Sequence, residues 1–273
     1  MPIVAVSSPD DTRLLGYHVV SDPELAEREG LFVAEGRLVV RRLLSTPSLV
    51  TRSLLLTPPA HEALADVLNG RQDVTVFLAS PDVMNKVAGF NIHRGCLALA
   101  ERPAPRAWQD VASGARRLVV LEQVADADNI GSAFRCAAAF GASGVLLGRS
   151  CADPLYRKAI RTSMAATLAV PFAHAQPWPD VLTALEANGW HVIGLTPHAD
   201  EPPLWEAAAG AHRAPTALVF GHEGDGLSAA ALRACTHRAR IPMAPGVDSL
   251  NVGVAVGVAL YEISRHPYGE AQS

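Results

Sequence analysis

The sequence predicts an α/β protein: a parallel sheet with helices on both faces, joined to a smaller α/β unit at its start. Three observations carry that expectation. Apolar runs of strand length alternate with capped, helix-period stretches along most of the chain, which is the pattern of strand–helix–strand crossovers. The 273 residues are 49 % hydrophobic but only 5 % aromatic, and close-packed helices on a parallel sheet suit that mix better than an aromatic-rich sandwich. The stretch ERPAPRAWQDVASGARR carries Pro103 and Pro105, which rule out helix there and mark a linker. The boundary falls near Pro105, giving an N-terminal domain over 1–105 and a C-terminal domain over 106–273.

In the first domain, Asp22-Pro23 starts a short helix in cap-then-proline order. LFVAEG follows as a strand and EGRLVVRRLL as an amphipathic helix. SLLLT, VTVFLAS and GCLALAE are three further strands, with helices PPAHEALADVL and SPDVMNKVA between them. The second domain opens with the buried strand RLVVLEQV. Helix 129–140, strand GVLLG, helix 155–166, strand LAVPF, helix 179–188 and strand WHVIGLT follow. Strand TALVFG, helix 228–235, strand ARIPM and a final helix over 249–264 complete it.

The formal net charge is −4, which weakens a nucleic-acid reading but leaves room for a local basic patch. Arg37, Arg41 and Arg42 form such a cluster, and a solvated helix face explains them equally well. The four cysteines include no CxxC pair and have no histidine at zinc-ligand spacing, so neither a disulfide framework nor a metal is expected. No stretch of bilayer length lacks charge, so a cytoplasmic location is expected.

Three polar segments interrupt this plain pattern. In NIGSAFR, Asp128 or Asn129 can cap a helix from Ile130, and Gly141 can end it. Ile130, Phe134 and Ala138 share the buried face, while Arg135 lies off it. Its side chain leans back toward Asn129. FGHEGDGLS is a turn with Gly221, Gly224 and Gly226, where the backbone can approach a ligand and offer N–H groups. The order GxxGxG is not the dinucleotide fingerprint, and Glu223 and Asp225 would repel a pyrophosphate. A cation such as a sulfonium suits them better. In IPMAPGVDSLNVGVA, Ser249 can cap a helix rich in Gly253, Ala255, Gly257 and Ala259. That small-residue face serves core packing or subunit contact equally well.

Together the three segments resemble the SpoU/TrmH family of RNA ribose 2′-O-methyltransferases, over roughly residues 116–265. Asn129, Gly131 and Arg135 match its first motif, and FGHEGDGLS its glycine–glutamate turn, with His222 where asparagine is common. IPMAPGVDSLNV matches its last motif apart from one extra residue of spacing. The N-terminal part resembles a ribosomal-protein-like RNA-binding domain through FVAEGRLVVRRLL and SPDVMNKVAGFNIHRGCLALAE.

The resemblance implies a C-terminal trefoil knot around Leu195-Thr196, Gly221 to Gly226 and Ile241 to Asn251, an exception to the rule against threaded chains. It implies S-adenosylmethionine held by Leu195, Thr196, Gly221, Glu223, Gly226, Ile241, Met243 and Leu250, a homodimer, and no metal. Asn129, Arg135, Glu223, Ser249 and Asn251 become the catalytic set, with Glu223 expected to fix Asn129 or Arg135. Arg37, Arg41, Arg42 and Arg94 would grip RNA phosphates. The implied substrate is 23S ribosomal RNA. Transfer RNA is the alternative target, and a non-enzymatic RNA-binding assembly factor or a small-molecule enzyme on an ordinary doubly wound sheet the alternative functions.

Overall fold

Strand and cap chemistry set the elements of the structure, a computed structural model that describes residues 2–18, 22–89, 92, 95–210 and 213–265. The chain forms two compact units, 1–104 with 154–168, and 105–153 with 169–273. In the first unit the strands are β1 (Ile3–Val6), β2 (Leu31–Glu35), β3 (Thr51–Leu56), β4 (Thr75–Ala79) and β5 (Cys96–Glu101). They lie in the order β1-β4-β3-β5-β2, with β1, β4 and β3 parallel and β5 antiparallel to both its neighbours. The helices are α1 (Asp22–Glu29), α2 (Arg37–Leu44), α3 (Pro58–Ala63), α4 (Ala65–Leu68) and α5 (Pro81–Ala88).

Local rules account for most of these. Ser80 accepts from the Val83 N–H at 3.3 Å and Gly89 ends α5 at φ 74°, a cap at each end. Val39, Val40, Leu43 and Leu44 make the buried side of α2. The expected single helix PPAHEALADVL breaks at Leu64 into α3 and α4. Strand β1 goes beyond the expected elements: IVAV sits on the sheet edge, mostly exposed, and lacks a clear period.

The second unit holds α6 (Trp108–Ala112), β6 (Arg117–Leu121), α7 (Ala127–Ala139) and β7 (Gly144–Leu147). Next comes α8 (Arg157–Thr162), which packs on β2 and so belongs to the first unit. There Arg157 N–H donates to Asp22 Oδ2 at 2.8 Å, and Arg161 lies 3.5 Å from Glu35. A boundary near Pro105 alone would leave this segment in the second domain, whereas its packing on β2 assigns it to the first unit. Then follow β8 (Phe172–His174), α9 (Asp180–Ala187), β9 (His191–Leu195), α10 (Leu204–Ala207), β10 (Thr216–Phe220), α11 (Ala229–Ala234), β11 (His237–Ala239) and α12 (Val252–Ser264).

This sheet is parallel throughout, in the order β11-β9-β10-β6-β7-β8. Leu118 and Val120 of β6 and Ala217 and Val219 of β10 pack with α6, α9 and α11. Alternation turns Val119, Leu121, Leu218 and Phe220 to the other face, where α12 packs on α7 and β10. Cover on both faces explains why TALVF is buried at every position.

Some expected boundaries move. Asp126, not Asp128 or Asn129, caps α7, accepting from the Asp128 N–H at 2.6 Å. Asn251, not Ser249, caps α12, accepting from the N–H groups of Gly253 (3.0 Å) and Val254 (3.3 Å). The last strand is HRA rather than ARIPM, which leaves 240–251 as a loop. Gly141 ends α7 at φ 67°, as expected. The glycines of α12 work within the chain. A Cβ on Gly253 would lie 2.5 Å from Ser132 Cβ, and one on Gly257 3.1 Å from Cys136 Sγ, both on α7.

The chain leaves β6 toward β7 and β8, then returns to build β9, β10 and β11 on the other side. Connections therefore diverge at the carboxyl ends of the neighbours β6 and β10, where open α/β sheets form their binding crevice.

Candidate active site

The turn after β10 is closed by its own backbone. His222 N–H donates to Gly226 O at 3.1 Å, and Gly226 N–H donates to His222 O at 2.9 Å. A Cβ on Gly221 would come within 2.2 Å of the Gly226 carbonyl carbon, so only glycine lets the two ends touch. Gly226 has φ 67°, the left-handed region that favours glycine. His222 Nδ1 accepts from Gly224 N–H (3.0 Å) and Asp225 N–H (3.2 Å). The N–H groups of 224, 225 and 226 are thus used within the turn rather than offered to a ligand, contrary to the expectation above. The histidine at the position where asparagine is common acts as the acceptor that shapes this turn.

The loops after β9, β10 and β11 enclose a cleft of ≈ 350 Å³. Leu195, Thr196, Gly221, Glu223, Gly226, Ile241, Met243 and Leu250 all line it, so the structure brings the eight expected cofactor positions to one cavity. Thr196 N–H donates to Ala239 O at 2.9 Å, which carries the β9–β11 pairing into the start of the loop after β9. The lining combines apolar Leu195, Phe220, Ile241 and Leu250 with acidic Glu223, Asp225 and Asp248. Pro197, His198 and Asp248 also line the cleft and were not singled out from sequence, since nothing in their local pattern marks them.

Beside the cleft, three polar side chains form one set. Asn251 Nδ2 donates to Asn129 Oδ1 at 2.8 Å and to Glu223 Oε1 at 3.0 Å. With its Oδ1 capping α12, each hydrogen-bonding group of the Asn251 amide has a partner, which also fixes the amide's orientation. Glu223 therefore reaches Asn129 through Asn251 rather than directly. The Asn129 oxygen is engaged, and its Nδ2 has no partner among the described residues. Arg135 is exposed on α7 and bonds neither Asn129 nor Glu223; its guanidinium has no partner among the described residues. Ser249 lines the cleft, exposed and outside the hydrogen-bonded set.

Sequence reasoning also passed over Glu122, which follows directly on β6 and is fully buried. Its signal was a carboxylate at the end of the apolar run LVVL. It accepts from Ser228 N–H and Oγ–H, both at 2.8 Å, and Ser228 Oγ in turn caps α11 at Ala231 N–H (3.2 Å). In the first unit, Arg37 and Arg42 are exposed. Arg41 is committed to Asp66 and to Ala63 O (2.8 Å), which leaves it less free to bind phosphate than expected. Arg94 lies outside the described residues.

A cleft at the carboxyl edge of a parallel sheet, with an amide–carboxylate set beside it, is where open α/β proteins bind their ligands. Residues 116–261 match the model of the SpoU rRNA Methylase family, and the chain belongs to that family. It is a methyltransferase, not the non-catalytic RNA-binding protein left open above. A protein of Mycobacterium bovis named as a tRNA/rRNA methyltransferase is 42 % identical over 264 residues, covering 95 % of this chain and 91 % of that one. The 23S rRNA (guanosine-2′-O-)-methyltransferase RlmB of Ralstonia nicotianae is 31 % identical over 196 residues, 70 % of this chain and 77 % of that one. The AdoMet-bound rRNA methyltransferase of Sinorhizobium meliloti superposes with TM-score 0.82 at 25 % identity, covering 98 % of this chain and 99 % of that one. Among the described residues no helix is long and apolar enough to cross a membrane.

Proposed function

We propose that the chain transfers the methyl group of S-adenosylmethionine to a ribose 2′-hydroxyl in RNA, with 23S ribosomal RNA the favoured substrate and transfer RNA next. The observation that carries this is the Asn129–Asn251–Glu223 set, hydrogen-bonded at the rim of the cleft. Several features of the cleft suit this cofactor. Its apolar walls fit an adenine, and Glu223, Asp225 and Asp248 favour a sulfonium cation. When bound, the cofactor supplies the electrophilic methyl group.

The chain's own residues position the acceptor. Asn251 holds Asn129 and Glu223 in one geometry, and the unpartnered Asn129 Nδ2 is left to donate to the ribose. Arginine stays protonated at neutral pH, so Arg135 binds the neighbouring phosphate and stabilises charge developing on O2′. The O2′ proton then passes to phosphate or water. Ser249 completes the rim.

The three cleft loops are the segments we assign to the trefoil knot. Residues 1–105 serve as the RNA-binding domain, with Arg37 and Arg42 gripping phosphates. Val254, Val258 and Tyr261 on α12 are 52 %, 42 % and 56 % exposed. This apolar stripe supports a homodimer through the C-terminal domain, and the substrate fits a cytoplasmic enzyme. Calorimetric binding of S-adenosylmethionine and methyl transfer to 23S and transfer RNA transcripts test the proposal. We expect Arg135→Ala to abolish transfer while cofactor binding persists. Full activity in that variant removes Arg135 from the mechanism, and absence of cofactor binding by wild type defeats the whole proposal.

A further inference from the structure

The carboxyl edge of the second sheet carries another pocket, beyond β7 and β8, lined by Gly148, Arg149, Gln176 and Trp178 among others. Glu122 anchors it from behind. The buried carboxylate accepts from the Trp178 indole N–H at 2.7 Å and lies 3.3 Å from Arg149 Nε. Gly148 leaves room for the ring. A Cβ there would lie 3.0 Å from Trp178 Cε3 and Cζ3 and 2.9 Å from Leu121 O. The Arg149 terminal nitrogens and the Gln176 amide have no partner among the described residues.

Backbone bonds join this pocket to the loop that leads to Asn129. Gln123 N–H donates to Arg149 O, and Ala152 N–H to Val124 O, both at 2.9 Å. Asp126 then caps α7, on whose first turn Asn129 sits. One short loop, residues 122–126, therefore joins the pocket to the helix that carries Asn129.

We propose that this pocket takes an unstacked RNA base next to the acceptor ribose. The inference rests on the RNA reading above. Trp178 supplies an aromatic wall of the kind on which bases stack. Arg149 and Gln176 offer donors and an amide to the base edge. Glu122 offsets the Arg149 charge, so the pocket recognises the base rather than the phosphate. Base identity should then matter here while the salt dependence of binding does not.

The test uses the full chain and two fluorescent probes, a short oligouridine and an abasic oligoribose of the same length. Arg149→Ala is paired with Gln176→Ala, because Gln176 is exposed and its removal leaves Glu122 and the fold untouched. We expect each variant to weaken oligouridine binding, by up to about tenfold. Abasic binding, the salt slope and S-adenosylmethionine affinity should stay unchanged. Equal loss on both probes, or no loss in either variant while wild type still binds and methylates RNA, overturns the pocket alone. Failure of wild type to bind either probe or to methylate any RNA overturns the RNA reading and the pocket with it.

Discussion

Replacing Asn251 separates two jobs that one amide performs. Asn251→Ala removes the cap of α12 and both donor bonds. A lost asparagine cap costs about 1 kcal/mol, and two exposed side-chain hydrogen bonds add roughly 0.5 kcal/mol each. A loss of about 2 kcal/mol in a unit of this size lowers Tm by roughly 4–8 °C. Asn251→Asp keeps the cap, because aspartate caps as well as asparagine. It turns an oxygen toward Asn129 Oδ1 and Glu223 Oε1, where the structure has a donor at 2.8 and 3.0 Å. The aspartate variant should therefore melt closer to wild type, yet lose methyl transfer at least about tenfold, the scale of one misplaced positioning group. Thermal melts and single-turnover methyl transfer measure both effects. Wild-type turnover in Asn251→Asp, or a wild-type Tm in Asn251→Ala, would refute the claim that this amide joins Asn129 to Glu223 and caps the helix.

Two further outcomes follow from the packing. Gly221→Ala should lower S-adenosylmethionine affinity by at least about tenfold, because its Cβ meets backbone at 2.2 Å. Gly224→Ala should be mild, since its Cβ meets only the His222 ring at 3.4 Å; calorimetry distinguishes the two. Burial pushes the Cys151 thiol up to about 11 and those of Cys96 and Cys235 up to about 12, and raises Cys136 in the same direction. The reactive thiolate is therefore scarce at neutral pH. Iodoacetamide labelling read by mass spectrometry should be slow near neutrality and rise with pH, and fast labelling of all four would contradict the burial.

Much of the fold was legible because its signals are local. The apolar runs LVVL, GVLL and TALVF announce buried parallel strands. Ser80 and Gly89 bracket their helix within a few residues. The eight cleft positions were legible only through resemblance to a family, since Leu195 and Ile241 look like ordinary strand residues. The caps of α7 and α12 were misassigned for a physical reason. Several side chains near each helix start can cap, and the backbone conformation that chooses among Asp126, Asp128 and Asn129, or between Ser249 and Asn251, depends on the preceding loop.

By itself the sequence determined which segments become strands and helices, where glycine is required and which polar residues stand out from the pattern, because those depend on neighbours a few residues away. Tertiary structure alone decided how the polar residues meet. Asn251 finds Asn129 across 122 residues and Glu223 across 28, and Glu122 finds Ser228 across 106. It also decided that α8 packs on β2, an element far from it in the sequence. The site pairings follow from strand order at the carboxyl edge of the second sheet, and no local period or cap encodes that order.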